Sequence, residues 1–267
     1  MNESIAIVGA GLAGSEAALQ LADRGFAVSL YEMRPDRSTA VHRTGRAAEL
    51  VCSNSLKSMK PESAAGMLKS ELAALSSHLY AYALACAVPA GGALAVDRDA
   101  FAEQVTARIE AHPGIELVRE EARELADLAG RFDAVIVASG PLTSDDLAED
   151  LSALTGADHL AFFDAAAPVV MADSLDYSKL FRQSRYEKSA GGRQGDYLNA
   201  PFSREEYEAF AEALVSAERV IERDFESRDL FQACQPIEEI ARTGRDAPRF
   251  GALKPIGLTD PRTGRRP

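Results

Sequence analysis

The segment Ile5-Ala-Ile-Val-Gly-Ala-Gly-Leu-Ala-Gly14 is a β-branched run that ends in a glycine turn. Apolar residues at helical spacing follow over residues 15–24, and Gly25 ends that helix. The second strand, Ala27–Tyr31, is closed by Glu32. This order of strand, glycine turn, helix, strand and acid predicts a dinucleotide-binding βαβ unit.

Each glycine of the turn Gly9-Ala10-Gly11-Leu12-Ala13-Gly14 has a physical task in such a unit. Gly9 permits the tight turn, Gly11 lets the backbone approach a pyrophosphate, and Gly14 lets the helix pack closely on the strand. The helix N-terminus adds amide donors and the positive end of its dipole. Glu32 is placed to accept hydrogen bonds from ribose hydroxyls, which fits FAD or NAD and disfavours a 2′-phosphate. The motif alone leaves FAD and NAD open.

Further helices and strands alternate along the chain. The pattern predicts helices within residues 64–86 (one or two), 97–112 and 147–154, strands within 89–96, 115–119 and 133–138, and an irregular segment over 34–60. After Asp133, the strand over 133–138 is entirely apolar, as in strands buried in a parallel sheet. It runs into Ser139-Gly140-Pro141, the second nucleotide-side turn, where Gly140 is a further candidate cofactor contact.

The predicted fold class is therefore α/β, a Rossmann-like FAD-binding domain of the glutathione-reductase type with an inserted smaller α+β domain. The predicted domains are residues 1–160 (main part of the FAD-binding domain), 161–233 (insertion) and 234–267 (return segment). Within the insertion, Ser203 and Glu206 form the pattern of a capping box at the start of a helix over 204–225.

Composition limits the functions that are open to the chain. Its 267 residues carry a net charge of −12, so any contact with nucleic acid needs local basic patches. Two candidate patches are Arg182, Arg185, Lys188 and Arg193, and Arg242, Arg245, Arg249 and Lys254. The three cysteines and four histidines show no metal-ligand spacing, so no metal is expected. No leader or membrane span is visible, which predicts a cytoplasmic protein without a membrane partner.

Several segments resemble the folate- and FAD-dependent tRNA (uracil-5-)-methyltransferases, the TrmFO family. They include Tyr31-Glu-Met-Arg-Pro35, Ala48-Glu-Leu-Val-Cys-Ser-Asn-Ser-Leu-Lys57, Pro89-Ala-Gly-Gly-Ala-Leu-Ala-Val-Asp-Arg98, Cys234-Gln-Pro-Ile-Glu238 and Lys254-Pro-Ile-Gly-Leu258. The resemblance extends over essentially the whole chain. It implies FAD as cofactor, methylenetetrahydrofolate as methylene donor, NAD(P)H as reductant, and the T-loop uridine of tRNA as the acceptor of a methyl group.

The resemblance also assigns the two functional cysteines of the family to Cys52 and Cys234, one as nucleophile and the other as proton acceptor. Which is which stays open. A thiolate adding to C6 of uracil makes C5 reactive, and a base must then remove the C5 proton. Cys86 lies in an apolar setting and is expected to be a buried structural residue.

Members of this family run well past the segment that ends here at Pro267, and the additional part contacts the flavin. The resemblance therefore implies a truncated chain. Two alternatives stay open beside the methyltransferase: an NAD(P)H-dependent flavin oxidoreductase, which leaves Cys52 and Cys234 without a role, and a catalytically incomplete nucleotide-binding fragment. A related flavoprotein family acts on the wobble uridine of tRNA, but the two cysteine-containing segments point away from it.

Overall fold

The structure of the chain is a computed structural model that describes residues 3–39, 41–51, 53–156, 170–187, 195–218, 236–251 and 253–267. The chain divides into two compact units, residues 1–88 with 94–162 and residues 89–93 with 163–267. The strands before residue 157 are β1 (Ser4–Val8), β2 (Ala27–Tyr31), β3 (Ser55–Ser58), β4 (Ala87–Val88), β5 (Ala93–Val96), β6 (Ile115–Val118) and β7 (Ala134–Val137). The helices there are α1 (Leu12–Asp23), α2 (Ala64–Ala74), α3 (His78–Ala85), α4 (Arg98–Glu110), α5 (Leu125–Ala129) and α6 (Asp145–Thr155).

A four-stranded sheet organises the first unit, with the order β6-β2-β1-β7. Its three strand pairs are all parallel, and Val8 at the end of β1 is in register with Tyr31 of β2 and Val137 of β7. The connection β1-α1-β2 is the predicted βαβ unit. This topology is that of a Rossmann-like domain, so the predicted fold class is confirmed.

Helices cover both faces of this sheet because the side chains of β1 alternate between them. Ile5 and Ile7 belong to a core cluster with residues of α1 and α4, including the fully buried Leu19 and Phe101. Ala6 and Val8 belong to a second cluster with Leu125, Leu128 and Leu147 of α5 and α6. The carboxyl ends of β1, β2 and β7 consequently lie together at one edge of the sheet, between two helical layers.

Two expectations about individual elements were wrong. The apolar strand β7 pairs with β1 as expected, but Ala134 is exposed and Val137 is 38% exposed, because β7 is the last strand of the sheet in the described part of the chain. The segment 34–60 is not wholly irregular, since it contains β3, which belongs to a small sheet of order β3-β5-β4.

The helical stretch over 64–86 is two helices, α2 and α3, each begun by a serine N-cap.

The second unit combines short strands with helices. It contains β8 (Phe181–Arg182), β9 (Leu198–Asn199), α7 (Arg204–Ser216), α8 (Ile237–Thr243) and α9 (Ala247–Phe250). β8 and β9 pair antiparallel. The predicted capping box is present, with Glu206 N donating to Ser203 Oγ and Ser203 N donating to the Glu206 carboxylate. The division into domains 1–160, 161–233 and 234–267 stays a prediction.

Candidate functional site

The candidate site lies at the carboxyl edge of the parallel sheet. Gly9 follows β1, Glu32 follows β2, and Ser139 and Gly140 follow β7, so the fold brings both predicted glycine turns and the predicted acid to one edge. Ligands of doubly wound sheets bind at this edge.

Two glycines of the first turn are required by their surroundings. Gly9 has a φ of +99°, and a Cβ there would lie 2.7 Å from the Cα of Ser139. A Cβ on Gly14 would lie 1.8 Å from the carbonyl oxygen of Gly9. These contacts leave no room for a side chain, so Gly9 and Gly14 bring the two turns and the start of α1 into direct contact.

Gly11 differs from these two because nothing lies within 4 Å of the position that its Cβ would take. It is the N-cap of α1, and no side chain caps this helix or places a carboxylate in its first turn. The start of α1, where Leu12 and Ala13 are exposed, therefore borders open space. An uncapped helix N-terminus of this kind attracts an anionic group such as a pyrophosphate.

A cavity of about 410 Å³ opens at this point. Its walls include six predicted cofactor residues, Gly9, Gly11, Leu12, Ala13, Glu32 and Gly140. Ala10 and Gly14 are buried behind the turn. The cavity also reaches Val51 and Ser53, the two neighbours of Cys52 in the sequence. The predicted cofactor residues and the flanks of one predicted catalytic cysteine therefore share one cavity.

Glu32 is held by the protein more tightly than the sequence indicated. Its Oε1 accepts hydrogen bonds from the backbone N and Nε of Arg34, at 3.1 and 2.9 Å. Its Oε2 accepts from the backbone N of Ala10 and from Nη2 of Arg34, at 3.1 and 3.0 Å. A ribose hydroxyl at Glu32 would therefore share or replace one of these donors.

The guanidinium of Arg34 continues this network to a second carboxylate. Arg34 is 2% exposed, and its Nη1 lies 3.1 Å from Glu49 Oε2 and 3.2 Å from the carbonyl oxygen of Thr44. Glu49 in turn accepts hydrogen bonds from the backbone N of Arg43 and of Thr44. Arg34 thus ties the glycine turn to the loop segment that leads to Val51.

The electrostatics of both carboxylates follow from these contacts. Burial by itself raises the pKa of Glu32, but the hydrogen bonds and the charge of Arg34 outweigh it, and the net pKa is lowered. Burial likewise opposes a lowered pKa of Glu49, which is held down by hydrogen bonds from Arg43 and Thr44. Both groups are therefore carboxylates at neutral pH.

The predicted catalytic residues Cys52 and Cys234 lie outside the described residues. Cys86 is buried in the core, as predicted, and burial together with the charge of Asp97 raises the pKa of its thiol. Among the described residues, no group of three His, Cys, Asp or Glu side chains has the arrangement of a metal site. No helix in that part of the chain is long and apolar enough to cross a membrane.

The histidines separate into different environments. His42 lines the cavity, and its Nδ1 is 2.7 Å from Thr39 Oγ1. His78 and His112 both contact the carboxylate of Asp23, at 2.8 and 3.0 Å. His159 lies outside the described residues.

The residues of the two predicted basic patches also lie in different surroundings. Arg242 and Arg245 lie 3.5 and 2.6 Å from carboxylates of Glu239 and Glu212. Arg185, Arg249 and Lys254 instead line a second cavity, which lies within the second unit. Lys188 and Arg193 are outside the described residues.

Three polar residues that line the cavity at the glycine turn were not predicted from the sequence. Arg34 and Glu49 stand within segments that carry the family resemblance, yet nothing in a sequence indicates that they pair. Thr143 also lines the cavity, where its Oγ1 lies 2.7 Å from Ser139 Oγ and donates to the carbonyl oxygen of Gly140 at 2.8 Å. In the sequence, the hydroxyl residues Ser139 and Thr143 stand on either side of Gly140, and this pattern could have indicated a hydrogen-bonded second turn.

Comparison with known proteins gives the family. The model of the family described as Glucose inhibited division protein A matches residues 4–264. The chain belongs to this family. The Methylenetetrahydrofolate–tRNA-(uracil-5-)-methyltransferase TrmFO of Geobacter sulfurreducens is 55% identical over 267 residues, and that of Moorella thermoacetica is 52% identical over 267 residues. The resemblance inferred from the sequence is thereby confirmed.

These relatives are longer than this member of the family. The alignments cover 100% of the chain but 60% of the Geobacter protein and 59% of the Moorella protein. Among solved structures, that of Aquifex aeolicus GidA is 16% identical, with a TM-score of 0.38. The alignment covers 46% of this chain and 20% of the GidA chain.

The Arg34 network generates a prediction about stability. Arg34→Met leaves Glu32 and Glu49 without their cation, and removing one partner of a buried ion pair lowers the free energy of unfolding by about 3–5 kcal/mol. Arg37→Met is the matched control, because Arg37 pairs with Glu121 but is 44% exposed, so a much smaller loss of stability is expected. Urea unfolding at neutral pH measures both.

The pH dependence of the same variants checks the cause. The lowered pKa of Glu32 means that its contribution is present above the pKa of an unfolded carboxylate and is lost as the pH falls through the folded pKa. Without Arg34, burial raises the pKa of Glu32, and protonation then relieves the buried charge. The difference in the free energy of unfolding between the wild type and Arg34→Met should therefore become smaller as the pH falls from about 7 to about 4. A gap that is constant with pH would contradict this account.

Proposed function

We propose that this chain carries the FAD site and the catalytic cysteines of a tRNA (uracil-5-)-methyltransferase that uses methylenetetrahydrofolate. The observation that supports this most is the shared cavity. Its walls join the glycine turn, Glu32 and Gly140 to Val51 and Ser53 on either side of Cys52. A dinucleotide bound at the turn would therefore extend toward the segment that bears a candidate nucleophile.

The residues present fit FAD. The open space at Gly11 and the uncapped N-terminus of α1 suit a pyrophosphate. The carboxylates of Glu32, Glu49, Glu120 and Glu121 also line the cavity, and they disfavour the additional 2′-phosphate of a cofactor such as NADP at this position. FAD has no 2′-phosphate, and its binding here leaves NAD(P)H as a separate, transient reductant.

FAD, when bound and reduced by NAD(P)H, would supply the electrons that reduce the transferred one-carbon unit to a methyl group. The residues of the chain prepare the acceptor. The thiolate of one cysteine adds to C6 of the T-loop uracil, which raises the nucleophilicity of C5. After C5 has received the one-carbon unit, the other cysteine accepts the C5 proton, and the first thiolate leaves C6 as the C5–C6 double bond forms again. Cys52 and Cys234 are proposed for these two roles, with their order left open. The site of action is proposed to be the cytoplasm.

An NAD(P)H-dependent flavin oxidoreductase is the second candidate, since the cavity by itself suits any flavin reaction. It gives no role to Cys52 or Cys234. The two functions differ in whether these thiols are needed for turnover, and a methylation assay distinguishes them. A chain that binds the nucleotide without any turnover is the third outcome of that assay.

Gly11→Ala tests the cofactor site. The added methyl group meets no protein atom within 4 Å, so the fold should tolerate it within about 1 kcal/mol, whereas it enters the space proposed for the pyrophosphate. We expect FAD affinity, measured by calorimetric titration, to fall by about tenfold or more. The matched control is Gly130→Ala, at a helical C-cap away from the cavity. Equal FAD affinity in the wild type and Gly11→Ala would place the cofactor elsewhere.

Cysteine variants test the chemistry. With tRNA, methylenetetrahydrofolate, FAD and NAD(P)H, Cys52→Ser and Cys234→Ser are each expected to slow methylation by about a hundredfold or more, because a hydroxyl is a far weaker nucleophile and proton acceptor than a thiolate. Cys86→Ala removes the buried thiol and serves as the control, with methylation retained. Loss of activity in Cys86→Ala but not in Cys52→Ser would overturn the assignment, and no methylation by the wild type would limit the proposal to nucleotide binding.

A further inference from the structure

The second unit contains a cavity of about 680 Å³ that has no role in the chemistry above. Basic side chains contribute much of its wall: Arg185, Arg204, Arg249, Lys254 and Arg266. The acidic side chains on the same wall are Glu208 and Asp246. This local excess of positive charge contrasts with the net charge of −12 of the whole chain.

Hydrogen bonds between distant parts of the sequence build this wall. The backbone N of Tyr186 donates to the carbonyl oxygen of Gly257 at 2.9 Å, and the backbone N of Thr259 donates to Gln183 Oε1 at 2.8 Å. These bonds hold the segment of Arg185 against the segment of Lys254. On the facing side, the hydroxyl of Tyr207 accepts from the backbone N of Arg249 at 3.2 Å and donates to the carbonyl oxygen of Arg245 at 2.7 Å.

The ion pairs distinguish the cations of this wall. Arg204 lies 2.8 Å from Glu208, and Arg249 lies 3.9 Å from Asp246, so the two acids on the wall already have cationic neighbours. Among the described residues, no carboxylate lies within ion-pair distance of Arg185 or Lys254. Both side chains are exposed. Arg185 and Lys254 are therefore available to an anionic ligand. Arg242 and Arg245 differ from them, because they already pair with Glu239 and Glu212.

An aromatic side chain lines the same cavity as these cations. Phe202 lines the cavity, is 43% exposed, and is supported from behind by Phe210, whose ring stacks on it at a centroid distance of 5.1 Å. Cations beside an exposed aromatic ring are the combination with which proteins hold the phosphates and unstacked bases of RNA loops.

We propose that this cavity is an RNA-backbone site, in which Arg185 and Lys254 bind phosphodiester groups of the substrate tRNA and Phe202 offers a stacking surface for an adjacent base. The proposal rests on the proposed function, since it takes tRNA as the substrate. It adds the part of the chain that holds the RNA, which lies in a different unit from the dinucleotide cavity. The ligand is identified by charge and by aromatic contact, and it requires no base-specific reading.

The test compares two double variants that remove the same charge. Arg185→Gln with Lys254→Gln alters the cavity, whereas Lys179→Gln with Arg265→Gln alters two exposed residues of the same unit that do not line it. Binding of unmodified tRNA to the whole 267-residue chain is measured by fluorescence anisotropy over a range of salt concentrations. Circular dichroism establishes that both variants are folded.

We expect the cavity variant to bind tRNA about tenfold or more weakly at low salt, and the slope of log Kd against log salt to be shallower by about 1.5, as for the loss of two phosphate contacts. The control variant should keep most of the slope of the wild type. Equal slopes in the two variants would overturn the proposal. So would displacement of tRNA by inorganic phosphate at matched ionic strength, because the site would then take free phosphate.

Flavin binding, measured on the same samples, separates this proposal from the proposed function. If the wild type binds FAD and tRNA and the cavity variant behaves as the control, the RNA site is wrong and the methyltransferase assignment stands. If the wild type binds no tRNA, the RNA site and the tRNA substrate both fail. Retained FAD would then leave the flavin oxidoreductase and the nucleotide-binding fragment as the two candidates.

Discussion

The buried guanidinium of Arg34 is the contact on which the candidate site depends. It forms hydrogen bonds to the carboxylates of Glu32 and Glu49 and leaves neither carboxylate as an isolated buried charge. Glu32 then binds the backbone N of Ala10 within the glycine turn. One cation therefore stabilises the second strand end, the nucleotide turn and the loop before Val51 in a single arrangement.

This arrangement explains how the proposed cofactor residues and the two sequence neighbours of Cys52 come to line one cavity. The parallel sheet alone brings Gly9, Glu32 and Gly140 to one edge. The loop of residues 41–51 belongs to no strand of that sheet, and its position depends on Glu49, on the hydrogen bond from the backbone N of Ala48 to the carbonyl oxygen of Ala10, and on that from Arg119 to the carbonyl oxygen of Gly45. These polar contacts act together with the packing of Ala47, Ala48 and Leu50 in the core, and both bring Val51 and Ser53 to the cavity.

The sequence predicted what depends on local pattern. Strand β2 and the capping box of α7 were predicted correctly, because glycine turns, apolar periodicity and capping residues act over a few positions. The sequence did not predict the exposure of β7, since an apolar strand has the same pattern of residues at the centre and at the edge of a sheet. The pairing of Arg34 with Glu49, and the placement of Arg185 and Lys254 on the wall of one cavity, depend on contacts between segments that are separated in the chain.

We propose that FAD occupies the cavity that the glycine turn, Val51 and Ser53 border together. Hydrogen exchange of the chain with and without FAD tests this proposal, because exchange reports local protection of backbone amides. We expect slower exchange in two regions upon FAD binding, the amides of residues 11–14 and those of residues 49–53. Protection of the first region alone, or protection confined to residues after 162, would contradict it.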